Sequence, residues 1–352
     1  MFHFHSSILC AFLLSTATMA QEPLVILKQG RQKSFPTTVP AGNYSGITWL
    51  GQDRYAVVDD KSPQPGFHIF QIQLDTLTGK LLDVENLGFT ATTGTPENLD
   101  AEAIAYLPHR QTLLIATEAD NRIREYTLNG QPTGREPDMP EAFHQTETNG
   151  GLESLSYNAS TRRLWTCAET TLPADGQAAT ASNGIQNTIR LQAFDDNLQP
   201  CGHLIYRMDA PRSRKPAALY AMGVSELCAL DDGSLLVLER EFRVPSRKVG
   251  SYVVCKLYQV FPDSTISPTE NLTKAGQAPD PKLSETKPKR LLSKWKTRLN
   301  LLRRNLANYE GMCLGPTLSD GSRTLILLSD SQNQYRGILK DWFKVIILNT
   351  EH

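Results

Sequence analysis

Acidic residues recur at fixed places along the chain. Glu102, Glu153, Glu226 and Glu310 each open a short apolar run, and Ser45 holds that place in the earliest unit. Asp59, Glu118, Glu169, Glu239 and Asp330 close the run that follows. If these positions meet, two carboxylates about 4 Å apart repel by roughly 4 kcal/mol at an effective dielectric near 20. Such a cluster shares protons or holds a cation. Hard oxygen donors at flexible spacing suit Ca²⁺, with Glu102, Glu153, Glu226, Glu239 and Glu310 as the candidate ligands. Zinc would call for His or Cys, which these positions lack. The alternative for any one acid is a turn cap, or an ion pair with an arginine such as Arg240.

The chemistry such a cluster supports is hydrolysis by a metal-activated water. Glu153 or Glu310 is the candidate base, and Arg240 the group that would hold an anion. No Gly-x-Ser-x-Gly elbow is present. His68, His109, His144 and His203 do not recur with the acids, which argues against a Ser-His-Asp triad.

Each acid pair brackets a β-hairpin pattern of apolar run, turn cluster and second apolar run. A third, alternating strand follows in every unit: residues 67–72, 122–126, 188–193, 253–258 and 342–347. A hairpin returns to the end where it began, so the two acids of each unit lie together. Doubly covered inner strands followed by half-wet outer ones predict an all-β fold, a β-propeller of five or six blades. A β-sandwich or a pair of β domains is the alternative. The early run 24–27 is placed to complete the last blade. Residues 262–307 break the pattern as a surface excursion ending in one helical insertion. There Leu291, Leu292, Trp295, Leu299, Leu302 and Leu306 recur at helical spacing among Lys289, Lys294, Lys296, Arg298, Arg303 and Arg304. That basic helix is read either as a rim for anionic substrates beside the acids or as packing on the outer wall.

Composition sets the remaining bounds. Lys and Arg number 36 against 37 Asp and Glu, which gives no charge reason for a nucleic-acid partner. Residues 1–20 read as a signal peptide, with an apolar run 8–14 and small residues up to Ala20, or as an uncleaved anchor. The expectation is export to the periplasm or outside the cell, with no membrane span in the mature chain. Residues 21–352 then form a single domain. Five cysteines remain, Cys167, Cys201, Cys228, Cys255 and Cys313, without metal spacing. They read as small buried apolar residues, with one disulfide left open.

The motifs Leu99-Asp100-Ala101-Glu102-Ala103-Ile104-Ala105, Asn149-Gly150-Gly151-Leu152-Glu153-Ser154-Leu155, Glu239-Arg240-Glu241, Asn308-Tyr309-Glu310-Gly311-Met312 and Leu327-Leu328-Ser329-Asp330-Ser331-Gln332-Asn333 occur in this order. Together they resemble the phytase-like family, known for "esterase-like activity of phytase". The resemblance implies an exported propeller hydrolase acting on a phosphate or carboxylic ester. Its motifs bring in Asn149, Glu241 and Asp330 as substrate-contacting candidates beside Arg240. A non-catalytic, Ca²⁺-stabilised binding module and a sugar-lactonase-like propeller stay open beside that reading, as do the substrate and the oligomeric state.

Overall fold

The computed structural model describes residues 23–95, 97–144, 150–212, 215–262, 288–300 and 304–349. Strand β1 (Ile26–Gln29) comes first. Blade one follows as β2 (Tyr44–Gly51), β3 (Arg54–Asp59), β4 (Gly66–Leu74) and β5 (Leu81–Ala91). Blade two is β6 (Ala101–Leu107), β7 (Thr112–Thr117) and β8 (Arg122–Thr127). Blade three is β9 (Leu152–Asn158), β10 (Arg163–Ala168), β11 (Thr188–Phe194) and β12 (Pro200–Arg207). Blade four is β13 (Leu219–Ala229), β14 (Leu235–Val244), β15 (Ser251–Val260) and β16 (Lys289–Leu299). Blade five is β17 (Asn308–Thr317), β18 (Arg323–Asp330) and β19 (Phe343–Leu348), completed by β1.

The expected propeller is therefore present, with five blades. Strand β1 pairs antiparallel with β19, so the start of the described chain closes the last blade and removes its exposed edge. In blade two the fourth strand is replaced by an irregular segment, in which the Thr127 and Glu125 amides donate to Gln131 and Arg135. Every strand pairing in the five sheets is antiparallel, and all but that of β1 with β19 join strands consecutive in the chain.

Burial follows from the ring. Each of five apolar clusters is shared by two neighbouring blades, for example Leu236, Leu238 and Leu257 of blade four against Met312, Leu325 and Leu327 of blade five. The second strands lie between neighbours on both faces, so β7 is buried at all six positions. The inner strands β2, β6, β9, β13 and β17 each contact the next and close round one axis. They come close enough to require glycine. A Cβ on Gly46 would lie 2.7 Å from the Ala103 Cα, and one on Gly311 2.6 Å from the Ser45 carbonyl oxygen.

The helical insertion is a correction. Residues 289–299 form β16, the outer strand of blade four, paired with β15 along its length. The leucine spacing fits a helix, but Ser293, Trp295 and Thr297 also alternate with Lys294, Lys296 and Arg298. Pairing to the open edge of β15 selects the period of two. The basic residues thus lie on the outer wall and not at the mouth. Arg303, residues 263–287 and residues 1–20 lie outside the described residues. The five cysteines are free thiols, with Cys167, Cys228 and Cys255 buried. No described helix is long and apolar enough to cross a membrane.

Candidate functional site

A β-bulge interrupts each inner strand at the same point. Glu102 bulges out between Ala101 and Ala103, Glu153 between Leu152 and Ser154, and Glu310 between Tyr309 and Gly311. In blade one the bulge falls at Ser45–Gly46, and in blade four at Ser225. A bulge adds one unpaired residue and re-aims its side chain. The ring position is therefore Ser45, Glu102, Glu153, Ser225 and Glu310, and Glu226 stands one step beyond it.

The second strands show the same offset. The partners across the hairpin are Asn43 with Asp60, Asp100 with Glu118, Gly151 with Glu169, Gly223 with Arg240 and Asn308 with Asp330. Arg240 occupies in blade four the place that an acid takes in the other four. Successive strand residues face opposite ways, so Glu239 and Glu241 point away from the Arg240 side. Glu239 accepts from the Tyr206 hydroxyl at 2.7 Å and from Lys289 Nζ at 2.6 Å, and lies 3.8 Å from Lys256. Glu241 accepts from the Arg212 amide at 3.1 Å. Neither belongs to the acidic mouth. Asn149 lies outside the described residues.

The mouth holds Asp60, Asp100, Glu102, Glu118, Glu153, Glu169, Glu310 and Asp330. Burial lifts Glu102 well above the usual carboxylate range, and Asp60 and Glu310 push it further. Burial does the same to Glu153, with Glu102 and Glu169 adding and Arg240 opposing. Asp330 is raised by burial and then by Glu310. Asp60 is pushed up to about 7 by burial, Lys61 pulling against Glu310 and Asp100. Glu118 is raised by burial although it accepts the amides of Gly150 and Gly151 at 2.6 and 3.0 Å. The Ser45 hydroxyl donates to Glu102 at 2.6 Å.

Two cations face these acids among the described residues. Arg240 is buried, with Glu169 and Glu310 as ion-pair partners and the Asn308 amide oxygen 3.1 Å away. Burial opposes its charge, but Glu169, Glu310 and Glu153 outweigh that and raise its pKa. Its guanidinium is thus committed to holding two glutamates together, and the anion-binding role expected of it has no support here. Lys61 is the exposed cation, 58 % accessible, bonded to Asp100 and 3.2 Å from Asp60.

Asp60, Asp100 and Glu102 each offer one oxygen, and these oxygens lie within 4.8 Å of one another. Three hard oxygens from two loops and a bulge fit Ca²⁺, whose remaining places water or substrate would fill. Of the five ligands expected from sequence, only Glu102 is in this trio, with Glu153 and Glu310 beside it. Asp60 and Lys61 were not legible as site residues, and Asp100 stood only within a motif.

Glu226 lies below the mouth. Four blades place Gly46, Ala103, Ser154 and Gly311 at its position, and the space they leave admits its side chain. Its Oε1 accepts the Leu155 amide of β9 at 3.1 Å and that of Leu227 at 3.0 Å, and its carboxyl bonds the Met312 amide of β17. Burial raises its pKa well above the usual range against these amides. It is a cross-tie between blades. Three of the four candidate histidines are engaged elsewhere: His68 with Asn86, His109 with Asp196, His203 with Arg190.

The family model "Phytase-like: Esterase-like activity of phytase" matches residues 39–332. No curated protein matches the chain. Solved structures resemble it at the level of fold. An endo-arabinase from Bacteroides thetaiotaomicron is 11 % identical with a TM-score of 0.46, over 94 % of this chain and 98 % of its own. Streptogramin B lyase is 12 % identical with a TM-score of 0.38, over 91 % and 98 %.

Proposed function

The chain belongs to the phytase-like family, and from that premise we propose that its acidic mouth binds a divalent cation, Ca²⁺ by ligand chemistry, and hydrolyses an ester there. The observation that carries the reading is the convergence of Asp60, Asp100 and Glu102 within 4.8 Å in a mouth with two cations among the described residues. When bound, the ion would supply Lewis-acid polarisation of the ester oxygen and a more acidic water. The chain's own residues do the rest. Glu153, whose pKa burial raises, takes a proton from the attacking water and returns it to the leaving alcohol. Arg240 holds Glu310 and Glu169 in place. Lys61, on the rim, is placed to orient a polar group of the substrate. Export remains part of the proposal, on the N-terminal apolar run and its small-residue site.

The engagement of Arg240 favours the rival reading, a cation-stabilised binding module. Turnover separates them. Metal-stripped protein is assayed on p-nitrophenyl acetate, p-nitrophenyl phosphate, phytate and a lactone, with and without Ca²⁺. Hydrolysis of at least one that needs Ca²⁺ and falls on the order of 100-fold in Glu153→Gln is expected. Ca²⁺-independent turnover, or activity that survives Glu153→Gln and Glu310→Gln together, overturns the proposal.

A further inference from the structure

Residues 169–187, between β10 and β11, form the longest connection from a second to a third strand in the ring. The loop is built rigidly. Asp175 pairs with Arg190 at 3.1 Å, with side chains 3 % and 1 % exposed, and Arg190 donates to His203 Nε2 at 3.2 Å. Burial, aided by Arg190, lowers His203 to about 4, so the ring is neutral and accepts. Asn187 Oδ1 accepts the Ala179 amide at 2.7 Å, and Asn183 ties the Thr180 and Ile185 amides to the Ala178 carbonyl.

Under this loop lies a groove of about 400 Å³, a volume typical of small-ligand sites. Among the described residues its lining, including Gly150, Thr170, Leu172, Pro173 and Gln177, carries no charged side chain. Two of its lining residues adjoin mouth residues. The Gly150 amide donates to Glu118, and Thr170 follows Glu169. A Cβ on Gly150, at φ +96°, would meet Thr170 Oγ1 at 2.6 Å, so glycine brings this wall against the hydroxyl. Among the described residues the Thr170 hydroxyl and the Gln177 amide make no hydrogen bond within the chain. Among the described residues the groove offers a polyanion no cationic side chain.

We propose that this groove is the subsite for an uncharged, hydroxyl-bearing part of the substrate. The substrate class is then a carboxylic ester of a neutral polyol or sugar, and not a polyphosphate. Thr170 and Gln177 exchange hydrogen bonds with its hydroxyls, while Leu172 and Pro173 cover its C–H face. The inference rests on the ester-hydrolase reading of the mouth for the word ester, and on the groove itself for the rest.

Calorimetry on the metal-stripped full chain, with methyl β-maltoside and inositol hexaphosphate as probes, tests it. The maltoside is expected to bind. Its Kd rises roughly three- to tenfold in Gln177→Ala and in Thr170→Val, the loss of one neutral hydrogen bond. Glu102→Gln leaves it unchanged. Hexaphosphate is expected not to bind, with or without Ca²⁺. No maltoside binding, equal binding in both groove variants, or tighter binding of hexaphosphate overturns the subsite. Maltoside binding without turnover of any ester removes the hydrolase reading and keeps the groove. Turnover without maltoside binding does the reverse.

Discussion

Asp60→Asn should stabilise the metal-free protein at pH 8. In the fold this carboxyl titrates near 7 against an ordinary 3.8, burial being the main cause. Its Oδ1 has no hydrogen-bond partner among the described residues. The native state therefore holds a proton that the unfolded chain releases. Stability from this site is complete below the unfolded pKa and is lost as pH rises through the folded one. A shift of that size corresponds to roughly 4 kcal/mol once pH exceeds both values. Asparagine removes the ionisation cost and gives up the contact with exposed Lys61, which contributes about 0–1 kcal/mol. The net gain is about 2–4 kcal/mol at pH 8, shrinking to nothing near pH 4. It should also relieve Glu102, which Asp60 pushes up. Denaturant unfolding with chelator present, at pH 4, 6 and 8, measures it. Destabilisation at pH 8, or a difference independent of pH, would refute the reasoning.

Arg240→Gln should destabilise by about 3–5 kcal/mol at pH 7, because Glu169 and Glu310 lose a buried partner. The loss should be smaller at pH 4 than at pH 7, because burial raises the Glu310 carboxyl and acid favours its neutral form; an equal loss at both pH values would assign Arg240 to packing alone. Glu226→Gln should gain stability relative to wild type as pH rises, because burial raises the carboxyl it replaces, whereas Glu226→Ala should cost about 2–4 kcal/mol, by chemical denaturation. Gly311→Ala should cost more than about 3 kcal/mol or prevent folding, since its Cβ meets the Ser45 carbonyl; a normal melting curve would contradict the close packing of the inner strands.

The propeller was legible because repeats and strand periods are local patterns; the closing strand was expected at 24–27 from ring geometry and lies at Ile26–Gln29. The mouth was legible to within one residue. Alternation assigns faces by counting, and a bulge adds one to the count, so Glu226 and Glu239 were read where Ser225 and Arg240 stand. A weaker signal was present: Tyr44, Ala101, Leu152, Val224 and Tyr309 each precede the true ring position with an apolar residue. Asp60, Lys61 and Asp100 come from connections, whose path no period encodes. Strand β16 was misread because its leucines satisfy two periods at once, and only the open edge of β15 decides between them.

The account rests on a cation held by Asp60, Asp100 and Glu102. Calorimetric titration of metal-stripped protein with Ca²⁺ tests that most directly, in wild type and in Asp100→Asn and Glu102→Gln. The account predicts one site in the wild type, lost or weakened at least about tenfold in either variant. No binding heat in the wild type, or the same affinity in all three proteins, would contradict it.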